Sequence, residues 1–130
     1  MRERSICVKP AKMKLDNTKA QMRKGLLELC ILSLLARRDA YASELIAELK
    51  EAKMIVVEGT LYPLLNRLKN GGLLSYHWEE SSSGPPRKYY ALTEKGRQAQ
   101  TDLRLSWQEL AEAVDRTVYG AQEKPQASKP

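Results

Sequence analysis

The stretch that decides the fold is Glu58-Gly59-Thr60-Leu61-Tyr62-Pro63-Leu64-Leu65-Asn66-Arg67-Leu68-Lys69-Asn70-Gly71-Gly72. Leu61, Leu64, Leu65 and Leu68 recur at helical spacing and make one apolar stripe. Pro63 reads as part of the first turn, where a missing N–H costs little. The glycine pair ends the helix, because glycine takes the left-handed conformation that closes one. With the leucines turned inward, Thr60, Tyr62, Asn66, Arg67 and Lys69 are left on the outer surface. These side chains can reach phosphates or base edges, or simply form a solvated face.

Upstream, a helix is expected from about Lys19, with apolar residues at Met22, Leu26, Leu29, Leu32 and Leu35, closing at Arg37-Arg38-Asp39. A second helix is expected near Ser43, whose hydroxyl suits an N-cap, with Leu45, Ile46 and Leu49 on one face. Ile55-Val56-Val57 reads as a brief extended segment, being β-branched throughout.

Downstream, Leu74, Tyr76 and Trp78 alternate with polar residues, and Arg87 to Leu92 forms a second strand-like run. Glu80 to Pro86 between them is a turn-forming loop, so the unit reads as a β-hairpin with Arg87 and Lys88 at its mouth. Thr93 is a good N-cap for a last helix reaching about Tyr119. The fold class is therefore mainly α with a small β-hairpin: a winged helix-turn-helix followed by a long C-terminal dimerisation helix. The division is a flexible basic arm (1–18), a winged-helix domain (19–92), the last helix (93–119) and a disordered tail (120–130).

Along that last helix, Ala99, Leu103, Trp107, Leu110, Val114 and Val118 are spaced close to a heptad seam. The remaining positions are polar, so the seam needs a cover, and a second copy of the chain supplies it through Leu103, Trp107, Leu110, Val114 and Val118. Trp107 is either an interface anchor or, paired across a two-fold axis, one wall of a site for a planar ligand.

The chain carries 22 Lys and Arg against 16 Asp and Glu, a net charge of +6. Residues 1–24 hold eight of these bases and two acids, while residues 25–120 hold twelve bases and thirteen acids. The domain is nearly neutral and the excess lies in the arm, which can track phosphates or remain a solvated tail. A nucleic-acid reading therefore rests on the helices and the hairpin. Met1 to Lys24 lacks the apolar centre of a signal peptide, and Leu26 to Ala36 is too short to cross a bilayer. Cys7 and Cys30 form no disulfide framework, so the expected location is the cytoplasm, without membrane attachment. The chain has one histidine, His77, and no metal-binding, phosphate-loop or nucleophile motif, which argues against an enzyme and against any cofactor.

Two segments resemble the PadR family of transcriptional regulators: Glu58 to Leu68 with Gly71-Gly72-Leu73-Leu74, and Gly84-Pro85-Pro86-Arg87-Lys88-Tyr89-Tyr90-Ala91-Leu92-Thr93-Glu94-Lys95-Gly96. Gly25 to Leu35 is similar to that family's first helix. The resemblance implies a homodimer on double-stranded DNA with a palindromic operator, a repressor released by a small molecule. Half-sites would lie about one helical turn, roughly 34 Å, apart. It also implies DNA contacts from Ser43, Thr60, Tyr62, Asn66, Arg67, Lys69, Arg87 and Lys88. Trp107 resembles the tryptophan that stacks on flat aromatic effectors in the multidrug-sensing branch. Where the family often has Tyr-Gly-Tyr-Glu, this chain has Tyr41-Ala42-Ser43-Glu44, which removes one tyrosine contact and leaves a hydroxyl. The other open reading is a protein-interaction module that uses the same scaffold without sequence-specific DNA binding.

Overall fold

The computed structural model describes residues 11–120; the first ten residues, including Cys7, and the last ten lie outside it, with most of the arm and tail expected there. Four helices and three strands follow one another as α1 (Ala11–Arg37), β1 (Ala40–Tyr41), α2 (Ala42–Glu51), α3 (Glu58–Asn70), β2 (Leu74–Ser81), β3 (Gly84–Leu92) and α4 (Glu94–Tyr119). The strands form one antiparallel sheet in the order β1-β3-β2. This is the expected winged helix-turn-helix with a long last helix.

The leucine stripe of α3 is the centre of the core. Leu61 and Leu65 are fully buried and Leu68 nearly so, against Ile31, Leu32 and Leu35 of α1 and Leu45 and Leu49 of α2. Burying a leucine side chain contributes about 2 kcal/mol, so this cluster holds the three helices together. Leu74 and Tyr90, each 2% exposed, close it from the sheet side.

Four expectations about local structure are corrected. First, α1 begins at Ala11, not Lys19. Residues 11–18 show no apolar stripe, but Ala, Lys, Met and Leu among them are strong helix formers, and propensity extends the helix. Second, the third strand is Ala40–Tyr41, paired to Tyr90 and Tyr89, and Ile55 to Val57 is not a strand. The β-branched patch has no strand beside it, so it links α2 to α3 with Val56 buried. Third, α2 is capped at Tyr41 rather than Ser43: the Glu44 carboxylate accepts the Tyr41 N–H at 3.0 Å. Fourth, Pro63 sits in the second turn of α3, so the carbonyl of Gly59 has no helical N–H to accept; Gly59 is exposed and water can serve instead.

The helix ends follow from backbone chemistry. After α3, Leu73 N–H donates to Leu68 O and Gly72 N–H to Lys69 O, each at 3.0 Å, with Gly72 at φ 83°. The same pattern closes α2, where Met54 N–H donates to Leu49 O and Lys53 to Lys50 O. There the left-handed position, φ 68°, is filled by Lys53.

The hairpin is longer than expected, pairing from Leu74–Leu92 out to Ser81–Gly84. Between the pairs Glu79–Arg87 and Ser81–Gly84, Pro85 and Pro86 together face Glu80 alone. Prolines cannot donate to a ladder, and a bulge is where a strand tolerates them. At the base of the hairpin, Thr93 Oγ1 accepts the Gly96 N–H at 3.0 Å and donates to the carbonyls of Gly72 and Leu73. One side chain thus caps α4 and ties it to the end of α3.

Candidate nucleic-acid interface

The N-terminus of α2, the face of α3 nearest the hairpin, and strands β2 and β3 enclose an open cleft of about 310 Å³. Its walls include Tyr41, Ser43, Tyr62, Trp78, Pro86, Arg87, Lys88 and Tyr90. Each comes from a position that local structure dictates. Ser43 lies in the first turn of α2 because Tyr41 ends the extended segment before it. Tyr62 follows the buried Leu61, which turns it outward, 45% exposed. The strand register places Lys88 opposite Trp78 and Arg87 opposite Glu79.

The cations of the hairpin are held against aromatic rings. The Arg87 guanidinium lies 4.0 Å above the Tyr41 ring centroid, and Lys88 Nζ lies 4.5 Å from that of Tyr76 and 5.5 Å from that of Trp78. Lys69 of α3 also approaches the Tyr76 ring, at 5.5 Å. Such contacts restrict long side chains while leaving their charge available to an anion. Tyr41 meets Tyr89 at a tilt, with centroids 4.8 Å apart and planes at 55°, and its hydroxyl reaches Glu79 at 3.5 Å, so the platform beneath Arg87 has its own supports. Tyr90 closes the cleft floor; burial, then the neighbouring Tyr62 and Tyr76, push its hydroxyl above the ordinary tyrosine range, keeping it neutral.

The residues expected to contact DNA fall into two groups, with Asn66 in neither. Ser43, Tyr62, Arg87 and Lys88 share the cleft, with Lys69 joined to it through Tyr76. Thr60 and Arg67 are on the opposite flank of α3, lining a second groove of about 300 Å³ with Lys24 of α1. Arg67 is not free there, since its Nη2 lies 3.0 Å from Glu28 Oε2. Asn66 is exposed on α3, lining neither groove. Sequence reasoning missed Tyr41 and Trp78 as cleft residues. Trp78 was legible as a member of an alternating strand, but that it projects past the core was not. Tyr41 stands in the sequence only as the first residue of a motif that departs at Ala42 and Ser43, while its contact with Arg87 depends on β1 pairing with β3.

The seam of α4 is divided. Leu103, expected at a partner interface, packs with Ala99 against the chain's own core. Gln100 supports this junction by donating to Ser33 Oγ at 3.1 Å. The physical reason is α1, which lies along α4 and covers its first turns. Beyond Leu103 the seam is open: Trp107, Leu110, Val114 and Val118 are 41–64% exposed. Between α1 and α4 a groove of about 150 Å³ is lined by Leu26, Glu28, Leu29, Leu103, Trp107 and Leu110, among others.

Among the described residues there is no cluster of His, Cys, Asp and Glu that could hold a metal ion, and no helix is long and apolar enough to cross a membrane. Cys30 is half-buried in α1, and burial raises its thiol pKa, as expected of a core residue.

Comparison with known proteins agrees with this geometry. The sequence model of the PadR-like transcriptional regulator family matches residues 31–102. A solved PadR-like transcription factor from Bacteroides fragilis is 61% identical, covering 78% of this chain and 98% of its own, with a TM-score of 0.66. A PadR family transcriptional regulator from Eggerthella lenta is 29% identical over 87% of this chain and 99% of its own, with a TM-score of 0.79. A curated transcriptional regulator from Mycobacterium tuberculosis is 34% identical over 94 residues, 72% of this chain and 87% of that one.

Proposed function

The chain belongs to the PadR-like family of transcriptional regulators, which are not enzymes, and we propose that it acts in the cytoplasm as a dimeric repressor on a palindromic operator. The observation that carries this reading is the cleft in which Ser43, Tyr62, Arg87 and Lys88 converge beside α3. In this reading α3 enters the major groove, with Asn66 at base edges, while Arg87 and Lys88 meet phosphates flanking it. Two copies related by a two-fold axis present two such helices, which suits a palindrome. Trp107, Leu110, Val114 and Val118 form the contact between the copies; their exposed apolar surface, continuous along one helix face, supports this.

Release falls to the groove between α1 and α4. Trp107 offers a flat face and Leu26, Leu29 and Leu110 offer apolar walls, a chemistry suited to a planar aromatic molecule. A ligand wedged there changes the angle between α1 and α4, and with it the spacing of the two α3 helices.

The test is fluorescence anisotropy of a labelled duplex from upstream of the protein's own gene, at two salt concentrations, against a scrambled duplex. Tight, salt-sensitive binding that favours the upstream duplex is the expected result. Absence of binding to either duplex would replace this reading with that of a protein-interaction module.

A further inference from the structure

The proposed DNA contact has an aromatic member that the cationic residues do not account for. Leu74, Tyr76 and Trp78 share one face of β2, because alternate strand residues point the same way. Their exposure rises along the strand: Leu74 is 2% exposed, Tyr76 half-buried and Trp78 60% exposed. The face that packs on the core therefore continues past it, and there carries the largest apolar side chain available. A tryptophan left in water forgoes the gain of burial, and none of the described residues covers this one.

It is also held still. Tyr76 meets the indole edge-on, with centroids 6.0 Å apart and planes at 87°. Lys88, opposite it in the register, places its ammonium 5.5 Å from the ring. A flat ring paired with Lys88, in a cleft that Arg87 also lines, complements a phosphodiester strand: the cations take phosphates, and the ring takes the apolar face of a deoxyribose.

We infer that Trp78 is a DNA-contact residue, packing on the sugar–phosphate backbone of the duplex held in this cleft. The inference rests on the DNA-binding reading above. A sugar contact is uncharged and independent of sequence, and both properties are measurable. Trp78→Ala weakens binding about tenfold, within the range known for aromatic contacts to nucleic acids. The loss is the same for the upstream and scrambled duplexes, and the dependence of affinity on salt keeps its slope, because no phosphate charge is lost. Trp78→Phe retains most of the affinity.

The chain has two tryptophans, so protein labelled with 5-fluorotryptophan gives two fluorine resonances, assigned with Trp78→Phe. Adding duplex shifts the Trp78 resonance. Unchanged affinity in Trp78→Ala, with the wild-type protein binding DNA, overturns the role of Trp78 and leaves the DNA reading intact. So does a Trp78 resonance that moves with protein concentration and not with DNA, which would mark a contact between copies. No binding by the wild-type protein removes both readings.

Discussion

Arg67 of α3 turns its guanidinium to Glu28 of α1, with Nη2 3.0 Å from Oε2. Both side chains reach solvent, 71% and 34% exposed, so the pair adds little stability. Its consequence is positional. Glu28 lies on the wall of the groove that holds Trp107, and Arg67 lies on the flank of α3 with Thr60 and Lys24. A carboxylate that occupies Arg67 competes with any phosphate for the same guanidinium. Glu28→Gln is therefore expected to raise DNA affinity several-fold at low salt and to steepen its salt dependence by about one phosphate equivalent. In an Arg67→Ala background the same substitution should change nothing. Anisotropy titrations of the four proteins check this, and an equal gain in both backgrounds would show only a general charge effect.

Arg87 and Lys88 stand on aromatic platforms and contribute nothing to the buried core. Replacing both with Ala should lower the salt-dependence slope by about two phosphate equivalents and leave the thermal midpoint nearly unchanged. Salt titrations paired with circular-dichroism melts separate the two effects. An unchanged slope would mean that the hairpin does not reach the backbone.

Gly96, in the first turn of α4, has no room for a side chain. A Cβ there would lie 2.1 Å from the Leu73 carbonyl oxygen and 2.7 Å from Leu92 Cδ1. The carbonyl is backbone and accepts from both Thr93 N–H and Thr93 Oγ1, so it cannot swing aside cheaply. Gly96→Ala should cost about 3 kcal/mol, at the upper end of overpacking penalties, read from urea denaturation. A cost below about 1 kcal/mol would show that α4 can lift from the sheet without loss.

Lys53 holds a left-handed conformation at the end of α2, which strains an L side chain. Lys53→Gly removes that strain while adding freedom to the unfolded chain, for a net gain of about 0.5 kcal/mol. A raised midpoint in the same denaturation assay is the expected result.

Leu110 is 57% exposed on the open part of the α4 seam. Leu110→Asp should convert a dimer to a monomer in sedimentation equilibrium, since an ionised carboxylate is costly to bury between apolar faces. Wild-type protein sedimenting as a monomer would instead refute the proposed contact between copies.

The sequence by itself determined the order of the four helices and the hairpin, and the core, because these depend on local regularities. Leucines at helical spacing from Leu61 to Leu68, a glycine pair after Asn70, alternation from Leu74 to Trp78 and Thr93 before a polar helix each act over a few residues. It also carried the cationic mouth of the hairpin at Arg87 and Lys88, since these stand beside a turn. Only the tertiary structure decided what depends on distant partners. Ala40–Tyr41 becomes a strand, and Tyr41 a platform for Arg87, because β3 presents a free edge there. Leu103 packs on its own chain because α1 is long enough to cover it, while Leu110 does not. Helical spacing already turns Arg67 and Tyr62 to different sides of α3, yet only the fold ties one to Glu28 and sets the other in the cleft. A side chain's environment is set by what folds against it, and spacing along one element carries no record of the elements that arrive from elsewhere.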